Sequence, residues 1–146
     1  MGISKFILTV AVTIFLSIAH AMAAEEGPLC DASNRCSTAS SNLEYKNCLA
    51  QLAKEQDDEL NALYKKVRTI LRDDYDKVPT SAPKIWPQIL EAQRDWITFR
   101  DAQCSGEAAI AQGGTAAGGW FSDCVCRLTA QRNANLKFIL KNFGPQ

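Results

Sequence analysis

Carboxylates are the first side chains here whose type and spacing suggest chemistry. Asp57, Asp58 and Glu59 stand in a row, and Asp73, Asp74 and Asp76 form a second run. A glycosidase needs two carboxylates facing each other across a cleft, one with a raised pKa. Neighbouring acids on one helix point in diverging directions, so both runs read as solvated helix faces. Histidine chemistry fares worse. The single histidine, His20, lies in a segment expected to be removed, which excludes Ser-His-Asp and Cys-His catalysis in what remains. No G-x-S-x-G elbow is present to support another nucleophile. The chain reads as a non-enzyme with no cofactor.

The leader follows from three features. Met1–Lys5 is a short positive start, Phe6–Ala19 is an apolar run, and small residues follow to Ala24. That is a secretory signal peptide, too short to span a membrane, with cleavage expected after Ala23. It leaves an N-terminal arm over 24–40 and a helical domain over 41–144. Gly27-Pro28-Leu29-Cys30 does not end in the small residues that a lipoprotein site needs, so no membrane anchor is expected after cleavage. The periplasm, or secretion, is the expected location.

All six cysteines, Cys30, Cys36, Cys48, Cys104, Cys124 and Cys126, lie in the mature part. In a small exported domain they read as three disulfides. A zinc site is disfavoured, because Cys124 and Cys126 are one residue apart and no histidine ligand survives. No metal is expected.

Charge is unevenly spread. Residues 24–61 carry eight acids and three bases, and residues 120–146 carry four bases and one acid. Two oppositely charged ends packing together would explain this, as would an acidic patch that attracts a basic partner. No basic stripe interleaved with aromatics appears, so nucleic acid is not an expected partner.

Periods of three and four dominate the sequence, and alternating strand patterns are scarce. Ser41 and Glu44 form a capping box that opens a first helix. Its apolar stripe is Tyr45, Leu49, Leu52, Leu60, Leu63, Val67, Ile70 and Leu71, ending near Tyr75, with Val78-Pro79 closing it. Ser81, Pro83 and Pro87 mark the entry to a second helix, whose ordered part is expected from Pro87. Trp86, Ile89, Leu90, Gln93, Trp96, Ile97, Arg100 and Cys104 share one stripe there. Gly113-Gly114 ends it, and GGTAAGG is too glycine-rich for a helix. A third helix is expected from about Trp120 to Phe143, stopped by Gly144 as a C′ glycine and by Pro145. The expected fold is all-α, a small antiparallel three-helix bundle stapled by disulfides.

Antiparallel helices would bring Cys48 towards Cys104, leaving Cys36 and Cys30 to reach Cys124 and Cys126. The rival pattern joins Cys36 to Cys48 and Cys104 to Cys124. The first is preferred, because a continuous helix from Cys36 to Cys48 would hold them ~18 Å apart. Arg100 and Arg132 fall on otherwise apolar stripes, where a charge must be paired or remain at a wet edge. Asp57, Glu59 or Asp101 could pair with them in an ion-pair network holding the helices in register. The alternative is the floor of a partner pocket. Trp96 is core by spacing, whereas Trp120, beside the glycine segment, is the aromatic most readily presented to a partner.

These residues also form a family pattern. Leu60-Asn61 with Tyr64, QRDWITFRDAQC from Gln93 to Cys104, Gly113-Gly114-Thr115, and CVCRLTAQRNANL from Cys124 to Leu136 resemble the LprI-type lysozyme-inhibitor family. The core, Gln-x-x-Trp-x-x-x-Arg-Asp-x-x-Cys followed by Cys-x4-Thr-x2-Arg, is specific, and the resemblance covers roughly residues 36–140. It implies an exported helical domain and, for some members, inhibition of lysozyme. It also implies that Cys36, Cys48, Cys104 and Cys124 are the family's cysteines. Cys30 and Cys126 would then be an added pair, which favours bonding between them.

Two functions follow as expectations. The first is a protein-binding module that inhibits a basic lysozyme, with its contact loop over Gly113–Trp120 and Thr115 and Trp120 as contacts. A second loop, Asp76–Lys84, ranks behind it. The alternative is a periplasmic envelope-associated interaction protein with no enzyme target, using the helical face of Lys65, Lys66, Arg68 and Arg72.

Overall fold

The computed structural model describes residues 30–144, except Val78, Thr80 and Ala82. The expected leader, residues 24–29 of the arm, and the stops at Val78 and Pro145 lie outside the described residues. Every regular element described is helical: a one-turn α1 (Ala32–Arg35), then α2 (Asn42–Arg68), α3 (Ile85–Ala109) and α4 (Ala117–Phe143). No described helix is long and apolar enough to cross a membrane.

Ser41 starts α2 as its N-cap, with extended backbone and a hydroxyl that accepts the Glu44 N–H at 3.2 Å. The return half of the box is displaced by one residue. Glu44 Oε2 accepts from the Ser40 N–H and from the Ser40 hydroxyl, at 2.8 and 2.7 Å. The winding does not stop at Arg68. It widens into a π-helical stretch, Thr69–Asp74, and tightens into a 3₁₀ turn, Tyr75–Lys77.

Helix α3 begins at Ile85, two residues before the expected Pro87. Proline is tolerated in a first turn, where its missing N–H has no intrahelical partner to lose. Lys84, the N-cap, makes no side-chain cap bond. Asp76 does this from outside the helix, accepting the N–H groups of Ile85 and Trp86, each at 2.9 Å. The Lys84 ammonium returns a bond to the Asp76 carbonyl.

Helix α4 starts at Ala117, not at Trp120, so only Ile110–Ala116 forms the connection and Gly118-Gly119 are helical. Gln112 and Gly113 carry the left-handed backbone that turns the chain, at φ 48° and 75°. A side chain at Gly119 would meet Lys46 Cγ at 3.3 Å and Leu49 Cδ1 at 3.5 Å. This glycine therefore serves close helix packing rather than a loop. At the other end, Gly144 caps α4 with φ −75°, which is not left-handed, and its N–H bonds the Leu140 carbonyl. Glycine is needed there because a Cβ would strike that carbonyl oxygen.

Helix α4 lies between α2 and α3. It runs parallel to α2, with Gly119 beside Leu49 and Lys137 bonded to Glu59. It runs antiparallel to α3, pairing Arg132 with Gln93 and Arg127 with Glu107. The core falls into two apolar clusters. Cys36, Leu49, Leu52, Ala53 and Cys126 fill one end. Leu60, Leu63, Val67, Leu71 and Leu136 fill the other, flanked by Tyr64, Trp86 and Trp96.

Three disulfides close the first end, and they correct the preferred pairing. Cys36 bonds Cys48 and Cys104 bonds Cys124, with Cα separations of 5.8 and 5.4 Å. The preference assumed helix throughout 36–48. In fact α1 ends before Cys36 and α2 begins at Asn42, so the intervening chain folds back on α2. Cys104 faces α4 across the short Ile110–Ala116 connection, where Cys124 meets it. Cys30 bonds Cys126, 96 residues away, and ties α1 to α4.

Candidate functional site

Two groups of side chains qualify, one inside the bundle and one at its end. The inner group is a polar layer between the two apolar clusters. Thr129 and Asn133 on α4 are buried, as is Gln93 on α3. Arg100 is 13% exposed, and its guanidinium bonds Asp57 at 3.1 Å, Asp101 at 2.9 Å and the Thr129 hydroxyl at 3.5 Å. Arg132 is different. Its Nε donates to Gln93 Oε1 at 2.9 Å, and no carboxylate pairs with it among the described residues. The expected network of Asp57, Arg100 and Arg132 is thus an ion pair at Arg100 and a charge-assisted bond to a neutral amide at Arg132.

Trp96 connects the two arginines. The Arg100 and Arg132 guanidinium carbons lie 5.1 and 5.8 Å from its ring centroid. The electron-rich ring face stabilises a cation that has little water around it. Burial still lowers the Arg132 pKa from its ordinary value, with nearby Tyr64 acting in the opposite direction. Burial likewise raises the pKa of Tyr64, whose hydroxyl has no hydrogen-bond partner among the described residues. Tyr64 also packs on Trp86, ring centroids 5.4 Å apart.

The acidic runs do not converge. Asp57 goes to Arg100, Asp58 to Lys54 at 2.6 Å and Glu59 to Lys137 at 2.6 Å. Asp73 pairs with Arg72, and Asp76 caps α3. Among the described residues no group of three or more Asp, Glu, His or Cys side chains comes together as a metal site would require.

The outer group lies where the start of α2, the end of α3 and the start of α4 meet. A cleft of about 540 Å³ opens there, lined by Tyr45, Leu49, Glu107, Ile110, Gly119, Trp120 and Asp123. Trp120 is 45% exposed and Ile110 is 70% exposed. Two carboxylates share one arginine at the cleft. Arg127 bonds Glu107 at 2.7 Å and Asp123 at 2.9 Å, and Asp123, then Glu107, raise its pKa. Thr115 is exposed in the adjoining turn and accepts a long, 3.4 Å bond from Asn42 Nδ2.

Trp120, the expected contact residue, lies exposed in the wall of this cleft. Tyr45 was expected in the core stripe, yet it is 40% exposed and forms a cleft wall. Glu107, Ile110 and Asp123 were not singled out. The one available signal was Ile110, an apolar residue three positions before Gly113.

The family described as lysozyme inhibitor LprI matches residues 32–136, which include the polar layer and the cleft. The chain belongs to the LprI lysozyme-inhibitor family. A protein of Rhizobium meliloti (strain 1021), itself described as uncharacterized, is 28% identical over 110 residues. That alignment covers 73% of this chain and 79% of the relative. No solved structure matches the chain. The motif residues of the LprI resemblance, Gln93, Trp96, Arg100, Cys104, Cys124, Thr129 and Arg132, turn out to assemble the seam between α3 and α4. They build the scaffold. The exposed aromatic cleft lies beyond that seam.

Proposed function

We propose that this protein is an exported, non-enzymatic inhibitor of lysozyme that engages its target with the cleft end of the bundle. The observation that carries the reading is the LprI family match over residues 32–136. Its placement on the molecule rests on Trp120, Ile110 and Tyr45, three large side chains left in water around one cleft. Exposed aromatics that can be desolvated in a partner's pocket are where binding energy concentrates. Thr115 stands at the rim of the same end.

A leader over residues 1–23, an arm over 24–40 and a helical domain over 41–144 fit this role. Three disulfides suit a periplasmic or extracellular setting, because thiols stay reduced in the cytosol. The acidic excess over residues 24–61 would steer a basic lysozyme towards the bundle, with the association rate falling as salt rises. The test is inhibition of a basic animal-type lysozyme by the oxidised mature protein. Trp120→Ala combined with Ile110→Ser should raise the inhibition constant at least tenfold, since central aromatic anchors contribute about 2 kcal/mol or more. Unchanged inhibition by a folded double variant would remove this end as the contact surface.

One observation favours the envelope-interaction reading as second. A shallow groove of about 800 Å³ lies over the π-helical stretch, with Lys65 and Lys66 on its rim and Ile70 and Leu140 in its floor. A partner recovered from native envelopes that is released by Lys65→Gln with Lys66→Gln, with no lysozyme bound, would favour it.

A further inference from the structure

The cleft at the end of the bundle has walls of two kinds. Tyr45 and Trp120 present aromatic surface above a Leu49 floor, while Glu107 and Asp123 bring two carboxylates to the same space. Both carboxylates already hold one guanidinium, that of Arg127, which approaches from within α4. Lys46 stands beside Gly119 but bonds neither acid, so Arg127 is the one base paired with the two carboxylates among the described residues. Its groups remain in contact with water, with side-chain exposures of 30% for Glu107 and 34% for Asp123. A carboxylate has about four lone-pair sites and commonly accepts from more than one donor. A second cation can therefore be taken up beside Arg127 without displacing it.

We infer that this cleft is a subsite for an arginine or lysine side chain supplied by the protein partner. The inference rests on the inhibitor reading for the identity of that partner, and on the cleft alone for the chemistry. Arginine and lysine have an apolar stem and a charged head. The stem would lie along Leu49 and the Tyr45 and Trp120 rings, and the head would reach Glu107 and Asp123. Ring faces add attraction for the cation, more strongly for tryptophan than for tyrosine or phenylalanine. Gly119 lets α2 and α4 approach closely beside the cleft, since a side chain there would meet Lys46 and Leu49. The charge fits as well, because the partner proposed above is basic and the first third of the mature chain is acidic. A glycan could also stack on Tyr45 and Trp120, but its binding would not depend on the sign of the carboxylates.

The experiment uses the oxidised mature protein and two probes, a tri-arginine peptide and chitotriose, followed by NMR at the Trp120 indole and the Tyr45 ring. Binding of the intact protein to a basic lysozyme is measured in parallel by calorimetry. The peptide should shift both resonances, with Glu107→Gln plus Asp123→Asn abolishing the shifts and weakening lysozyme binding about tenfold or more. Lys54→Gln with Asp58→Asn, a neutralised surface pair away from the cleft, serves as the folded control and should leave both unchanged. Peptide shifts without lysozyme binding would keep the subsite and overturn the inhibitor reading. Lysozyme binding indifferent to the double variant, with no peptide shifts, would overturn the subsite and leave inhibition standing. Shifts caused by chitotriose and not by the peptide would replace the cationic ligand with a glycan.

Discussion

Asn133 is the residue where the two halves of the core meet, and it is 1% exposed. Its amide donates to the Gln56 carbonyl and side-chain oxygens, at 3.0 and 3.1 Å, which fixes α4 against α2. Asn133→Ala leaves those acceptors without their donor and opens a small void, partly offset by removing its own buried, unpartnered Oδ1, so stability should fall by about 1 kcal/mol. Urea unfolding gives that number directly, and a loss below about 0.5 kcal/mol would contradict the bond's role. Tyr64 predicts the opposite behaviour. Its hydroxyl is buried with no partner among the described residues, so Tyr64→Phe removes a desolvated polar group and keeps the ring on Trp86. Stability should stay level or rise. A destabilisation greater than about 1 kcal/mol would mean that the hydroxyl makes a bond in solution.

At the scale of elements, helix ends set the boundaries that pattern alone misplaced. The periodic stripes of α2 and α4 and the Ser41 cap were readable, because they depend on residues close in sequence. The start of α3 was not, since its cap is Asp76, nine residues before Ile85. Asp76→Ala should cost about 1 kcal/mol, the usual value of a lost cap, and be seen as a lower Tm. The cysteine pairing was misread for a similar reason: it depended on whether residues 36–41 continue a helix or reverse. They reverse, and a 12-residue separation closes easily. Removing Cys30–Cys126 as a serine pair should cost nearly 5 kcal/mol in the chain-entropy account, and removing Cys104–Cys124 about 3 kcal/mol. Equal costs would mean that loop length does not govern their contribution.

Acid should loosen the same helix ends. Hydrogen bonds from Ser40 hold the Glu44 carboxyl below its ordinary value, and a bond from Ser33 does the same for Asp31. Arg35 lowers the pKa of Glu55, which joins α1 to α2. A depressed folded pKa means stabilisation that is complete above the unfolded value and is lost as pH falls through the folded one. Tm should therefore be flat down to about pH 4.5 and decline below it. Glu44→Gln should start lower and decline less steeply. Parallel curves for the two proteins would show that Glu44 does not contribute to the acid loss.

The fold class was legible from periodicity and cysteine count, while the candidate cleft was only half visible. Trp120 could be picked out by its place beside glycines. Tyr45, Ile110, Glu107 and Asp123 converge only once three helix ends are brought together, and no local pattern encodes that. Arg132 shows the converse limit. Its position on an apolar stripe suggested an acidic partner, yet the bundle supplies Gln93 and the Trp96 ring. The result is a helical bundle in which Tyr45 and Trp120 stand beside Glu107 and Asp123 at one end. If that end is the inhibitory surface, association with a basic lysozyme should slow as ionic strength rises, while dissociation changes little.

The proposed inhibition of lysozyme by this end of the bundle is open to a simple test. The most direct measurement is a titration of oxidised mature protein against a basic animal-type lysozyme acting on cell walls, at low and physiological salt, beside Trp120→Ala. Stoichiometric inhibition that weakens with salt and is lost in the variant is the predicted result. Full lysozyme activity at an excess of folded, fully disulfide-bonded protein would contradict it.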